Sequence, residues 1–140
     1  MQRKVVIDTC IYIEIFNNDQ HSDQINWFRN ISYLAYPVLH ELLIGATNRS
    51  DVNSLLEWGE MFSKLNRIII PTEATLFKIG QTCQKMRKKG KLDPVNPKHY
   101  NDITIALLAR QIGATVVTLY KKDFQTIQSV VDVKCQFVKS

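Results

Sequence analysis

The sequence predicts an α/β fold built on a mainly parallel sheet. Two observations carry the prediction. Short apolar runs of strand character alternate along the chain with segments of helical period, and no repeat or low-complexity linker interrupts the alternation. A chain of 140 residues is long enough to bury roughly two-thirds of its unfolded surface, so one domain spanning residues 1–140 is expected.

Residues 4–7 read as a strand, and a helix follows from Thr9 to about Phe16. A short helix is expected around His21–Arg29. "ISYLAY" (31–36) reads as a strand, after which Pro37 suits the first position of a helix that stops near Gly45. A further helix is expected over 51–64, then a short strand in "RIIIP". Thr72 caps the next helix, with Glu73 favourable in its first turn. Leu76, Ile79, Cys83 and Met86 give that helix an apolar stripe. Gly90 and "DPVNP" form a loop. "NDITIALLARQIG" is a helix with Asn101 as its cap and Gly113 as its stop. "ATVVTL" and "VDVKCQFV" read as the last strands.

With 45% hydrophobic and 22% charged residues, the composition is that of a soluble globular protein. The first apolar run is broken by Asp8 and Glu14, unlike a signal peptide, and no segment approaches the roughly 20 apolar residues of a membrane span. A cytoplasmic protein without membrane attachment is expected. Cys10, Cys83 and Cys135 lie far apart, which argues against a disulfide framework or a zinc knuckle. Cys10 reads as a small buried hydrophobe, and His21, His40 and His99 as structural or surface residues.

The net charge of +5 is unevenly placed: "KMRKKGK" (85–91) contains Lys88 and Lys89, and Lys121 and Lys122 form a second basic pair. Such clusters attract phosphate backbones, although a cationic helix end is also favoured by the helix dipole.

Four acids bear on function. Sites in open α/β sheets form beyond the carboxyl ends of the strands. Asp8 ends the run Val5–Val6–Ile7, where it either caps the following helix or joins a charged site. Asp123 lies a few residues beyond "TVVT", with turn capping as its alternative role. Glu41 sits among Val38, Leu39, Leu42, Leu43 and Ile44, the pattern of a buried helix, unless it shares one solvated strip with His40. Asp102 is expected in the first turn of its helix, on the face of Ile105, Ala106 and Ala109. Converging carboxylates need a cation, and hard oxygen ligands suit Mg²⁺ or Mn²⁺. With basic side chains nearby, the chemistry indicated is metal-assisted hydrolysis of nucleic acid.

"VVIDTCIYIEIF", "LHELLIGA", "NDITIALLARQIGATVVT" and "KKDF", in this order across almost the whole chain, resemble the motifs of the PIN domain family, and most closely its VapC-type ribonuclease toxins. The resemblance implies a three-layer α/β/α fold and an Mg²⁺- or Mn²⁺-dependent endoribonuclease. It carries the acidic positions onto Asp8, Glu41 and Asp102, and matches Asp123 to a later acid. It gives the Thr9 and Thr118 hydroxyls a part in shaping the site. It further implies an RNA substrate, a cognate antitoxin and a homodimer; from the basic clusters, Lys88, Lys89, Lys121 and Lys122 are the candidates for holding RNA. The chain departs from the pattern at Tyr120, where the family often has Asp or Asn. A non-catalytic module that binds RNA or an antitoxin is therefore the competing expectation. An aspartyl-phosphate enzyme with Asp8 as nucleophile is a further one, weakened because Cys10 stands where a second Asp is wanted.

Overall fold

Val5, Val6 and Ile7 are each sealed from solvent, which a strand achieves only when both of its faces are covered. They belong to β1 (Arg3–Ile7), the central strand of a five-stranded sheet. The computed structural model describes residues 2–18 and 30–139. Its strands and helices follow in the order β1, α1 (Thr9–Asn18), β2 (Asn30–Ala35), α2 (Tyr36–Gly45), α3 (Arg49–Lys64), β3 (Ile68–Ile69), α4 (Glu73–Lys88), α5 (Pro97–Ile112), β4 (Thr115–Thr118), α6 (Lys121–Gln128) and β5 (Lys134–Phe137). The expected helix around His21–Arg29 lies outside the described residues.

All strand pairs are parallel and the order is β3-β2-β1-β4-β5, with Val6 aligned to Tyr33 on one side and Val116 on the other. From β1 the chain builds outward through β2 and β3, then returns to add β4 and β5 on the opposite side. The strand order therefore reverses between β1 and β4, and the crevice beyond their carboxyl ends is the place where such sheets bind ligands. Asp8 lies there, its amide continuing the ladder by donating to the Val117 carbonyl at 2.9 Å.

Helices cover both faces, giving the three-layer α/β/α arrangement. In α5 every residue from Asp102 to Ala109 is buried, so this helix is enclosed on all sides. Its start is corrected by one turn: Asn96, not Asn101, is the cap, its side chain accepting from the Lys98 amide at 3.0 Å. Pro97, with φ already helical and no N–H to satisfy, makes the earlier start favourable. The first turn thus carries Lys98, and Asp102 falls in the second.

Two further expectations are revised. Helix α2 is not buried all round: Pro37, Val38 and Leu42 are covered while Ile44 is 83% exposed. In α4, Ile79 and Met86 face the core as expected, but Leu76 is 55% exposed and Thr82 is buried in the core-facing row instead.

Helix α5 ends at Gly113 with φ +69°, and a side chain there would meet nothing within 4 Å. The cost of Gly113→Ala is therefore conformational alone. Urea denaturation of this variant should show a loss of about 1–2 kcal/mol, the penalty of a left-handed non-glycine residue; an unchanged midpoint would contradict the left-handed stop.

Candidate active site

Asp8 is 2% exposed. Its Oδ1 accepts the Thr9 amide at 2.8 Å and its Oδ2 accepts the Thr118 hydroxyl at 2.7 Å. Its backbone carbonyl also starts α1 by accepting from the Ile11 amide at 3.1 Å. Asp8 therefore opens α1 while its carboxylate lies in the crevice. Burial pushes the Asp8 carboxyl above its ordinary pKa, against the opposing pull of the Thr118 and Thr9 hydrogen bonds.

Cys10 packs against the core as expected of a small hydrophobe, but its thiol also faces the Asp8 carboxylate. It is partly buried, and its thiol points at Asp8 Oδ2 from 3.6 Å, with Thr118 Oγ1 3.9 Å away. Burial and the Asp8 charge push the thiol up to about 12, so it stays protonated as a weak donor rather than a nucleophile.

Glu41, half-buried on α2, accepts the Thr9 hydroxyl at 3.1 Å. Thr9 thus links the first two acids: its amide holds Asp8 and its side chain holds Glu41. Burial raises the Glu41 pKa, partly offset by the Thr9 hydrogen bond. The exposed His40 rests edge-on against Tyr36 instead, with ring centres 5.5 Å apart.

Asp102 and Asp123 meet on one cation. The Lys98 ammonium donates to Asp102 Oδ2 at 3.0 Å and to Asp123 Oδ2 at 3.1 Å, and lies 3.9 Å from the centre of the Tyr120 ring. Burial opposes the charge on Lys98, but the two carboxylates outweigh it and raise its pKa. Asp102 is itself raised to about 7, first by burial and then by the Asp8 charge, with Lys98 pulling the other way. Asp123 sits in the first turn of α6, where Tyr120 holds the cap position without a side-chain hydrogen bond.

Sequence reasoning missed Lys98 as a site residue. Its signal was the spacing of four from Asp102, which places the two side chains on one helix face. The basic residues fall at this end of the molecule as well. Gln111 at the end of α5 donates to Ile70 O and accepts from the Thr72 amide, tying the start of α4 to the end of α5. Helix α4 therefore runs antiparallel to α5, bringing exposed Lys88 and Lys89 toward the end that carries Lys98 and Asp102. Lys121 and Lys122 open α6 beside Asp123 and are exposed. Next to Glu41 a groove is lined by Ile13, Phe16, Leu42, Leu55 and Trp58.

The donor chemistry fits a hard divalent ion: all four acids offer oxygen, and two of them already share a cation. Among the described residues no group of three or more His, Cys, Asp or Glu is drawn tightly enough to form a ready metal cage. The acids are gathered but not closed around one point.

The family model of the PIN domain matches residues 5–128, and the chain belongs to that family. Solved structures similar to it include VapBC2 from Rickettsia felis bound to a promoter DNA fragment, at 23% identity, covering 97% of this chain and 99% of that one with TM-score 0.72. VapBC-1 from nontypeable Haemophilus influenzae matches at 22% identity over 96% of this chain and 97% of that one, TM-score 0.67. VapBC-5 from Mycobacterium tuberculosis, described as a member of the VapBC family of toxin-antitoxin systems, matches at 16% identity over 96% and 98%, TM-score 0.62. At these identities the likeness is one of fold. Comparison with curated proteins finds no match. No helix among the described residues is long and apolar enough to cross a membrane.

The raised Asp102 pKa has a signed consequence for the metal-free protein. Below about pH 4, the ordinary range of Asp, the carboxyl is protonated in folded and unfolded chains alike. Between there and about 7 only the folded chain keeps the proton, so stability falls as pH rises, and above 7 the loss is complete. Asp102→Asn removes this contribution. The stability difference between variant and wild type should grow in the variant's favour across that window, by up to ~4 kcal/mol. Parallel stability curves from pH 4 to 8 would show that Asp102 is not strained by its neighbours.

Proposed function

We propose that the chain is a metal-dependent endoribonuclease, the toxin of a VapBC-like toxin–antitoxin pair. The observation that carries this reading is the gathering of Asp8, Asp102, Asp123 and, through Thr9, Glu41 at the carboxyl edge between β1 and β4. Isolated capping roles do not explain why the charge of one acid, Asp8, adds to the raised pKa values of two others, Glu41 and Asp102.

Asp8, Asp102 and Glu41 are the residues that would hold Mg²⁺ or Mn²⁺, with Asp123 completing the acidic rim. Such an ion, when bound, polarises a phosphoryl oxygen and neutralises charge on the departing oxygen. Thr118 and the Thr9 amide fix the direction of Asp8, since each occupies one of its oxygens. Glu41 has one oxygen on Thr9 and the other available to orient an attacking water and take its proton, a role its raised pKa favours. Lys88, Lys89, Lys121 and Lys122 hold the RNA backbone beside the acids. The partner is a cognate antitoxin, and the apolar groove beside Glu41 is the surface we assign to it, because occupation there covers the acidic edge at the same time. The fold shared with VapBC structures supports the same partner class. The cytoplasm, where RNA and antitoxin are met, is the corresponding location.

The test is RNA cleavage by purified, antitoxin-free protein with added Mn²⁺. Cleavage should stop on chelation, and Asp8→Ala should lower it at least about 100-fold, the loss of several kcal/mol of metal-assisted stabilisation. Expression of the wild type alone should arrest bacterial growth and Asp8→Ala should not. RNA binding without metal-dependent cleavage would favour the non-catalytic module instead.

Replacing Lys88 and Lys89 by Glu should weaken RNA binding and flatten its salt dependence, by about 0.7 in log–log slope for each phosphate of a single strand that is no longer neutralised. An identical slope would return this segment to a solvated helix end.

A further inference from the structure

We propose that Lys98 is the built-in second cation of this site, so that the chain binds one divalent ion rather than two. The inference rests on the nuclease reading above and concerns the number of ions the acids accept.

Two-metal phosphoryl-transfer sites place their ions roughly 3.5–4 Å apart, bridged by shared carboxylates. Here the shared position between Asp102 and Asp123 is spanned by an ammonium, with N–O distances of 3.0 and 3.1 Å. Mg²⁺ demands oxygens at about 2.0–2.1 Å in octahedral geometry, so it would have to draw both carboxylates inward. The ammonium satisfies them where they stand. The third side of the position is the Tyr120 ring, 3.9 Å from Nζ to ring centre. An aromatic face attracts an organic cation but supplies no ligand to a dehydrated divalent ion. Lys98 is also anchored at its base, since the Asn96 side chain holds its amide at 3.0 Å and Pro97 stiffens the chain before it.

Charge points the same way. Asp8, Glu41, Asp102 and Asp123 bring four negative charges when ionised; one ammonium and one divalent ion offset three of them. A second divalent ion would overshoot the acids and would sit against the ammonium at a few ångströms, where like charges repel strongly. The residues left to hold a single ion would then be Asp102, Asp8 and Glu41.

Mn²⁺ titration of the metal-free protein at pH 8, with bound ion counted by electron paramagnetic resonance and calorimetry, tests this. The wild type should bind one Mn²⁺ per chain and Lys98→Met two, while Lys98→Arg, which keeps the charge, should return the count to one. Lys98→Gln, which keeps hydrogen bonding without charge, should also give two and serves if Lys98→Met melts early. Two ions in the wild type, or one in both neutral variants, would overturn the proposal while leaving the nuclease reading intact. No Mn²⁺ bound by any form would overturn both.

Discussion

Burial of carboxylates close to one another at the carboxyl edge of β1 and β4 is the constraint around which the rest of this molecule is arranged. Asp8 is almost wholly buried and Asp102 nearly so; burial raises the pKa of both, and the Asp8 charge adds to the rise at Asp102. Burial of such groups is tolerated only where hydrogen bonds or cations compensate. The chain supplies both. Thr118 and the Thr9 amide take the two oxygens of Asp8, Thr9 passes its hydroxyl to Glu41, and the Lys98 ammonium bridges Asp102 and Asp123. The apolar strand β1 runs into Asp8 and the enclosed α5 carries Asp102, the two most buried of these acids.

The topology explains why the site lies here. A parallel sheet whose order reverses between β1 and β4 leaves a crevice at that point, and the first residues after both strands line it. Asp8 follows β1 directly. Tyr120 and Asp123 follow β4, while α5, packed across the sheet, delivers Lys98 and Asp102 from one helix face. Glu41 arrives from α2, which follows the neighbouring strand. Four acids separated by as much as 115 positions in sequence thus meet through the connectivity of one sheet.

Much of this was legible in the sequence. The apolar run before Asp8 and the helical period around Asp102 are strong local signals, and they specify β1 and α5 without reference to the rest of the chain. The expectation for Thr9 and Thr118 came from the resemblance; the structure shows that both hydrogen-bond the Asp8 carboxylate, Thr9 through its amide and Thr118 through its hydroxyl. What escaped was the pairwise chemistry that depends on tertiary proximity. Cys10 looked like a core hydrophobe because nothing local shows that its thiol faces the Asp8 carboxylate. Lys98 was hidden by the misplaced helix start: with Asn101 taken as the cap, it fell in a loop, and only the turn begun at Pro97 puts it in register with Asp102. Helix α2 read as buried on almost every side, with a solvated strip at His40 and Glu41 as the alternative; His40 is exposed and Glu41 half open to solvent, so the strip is there.

The central claim is that these acids form one electrostatic unit, and the protonation of Asp102 reports on it directly. A ¹³C NMR titration of the Asp102 carboxyl in metal-free protein should give a pKa near 7, falling clearly when Asp8 is replaced by Asn. A value close to 4, the ordinary range for Asp, and unmoved by Asp8→Asn, would mean that the carboxylates stand apart and form no common site.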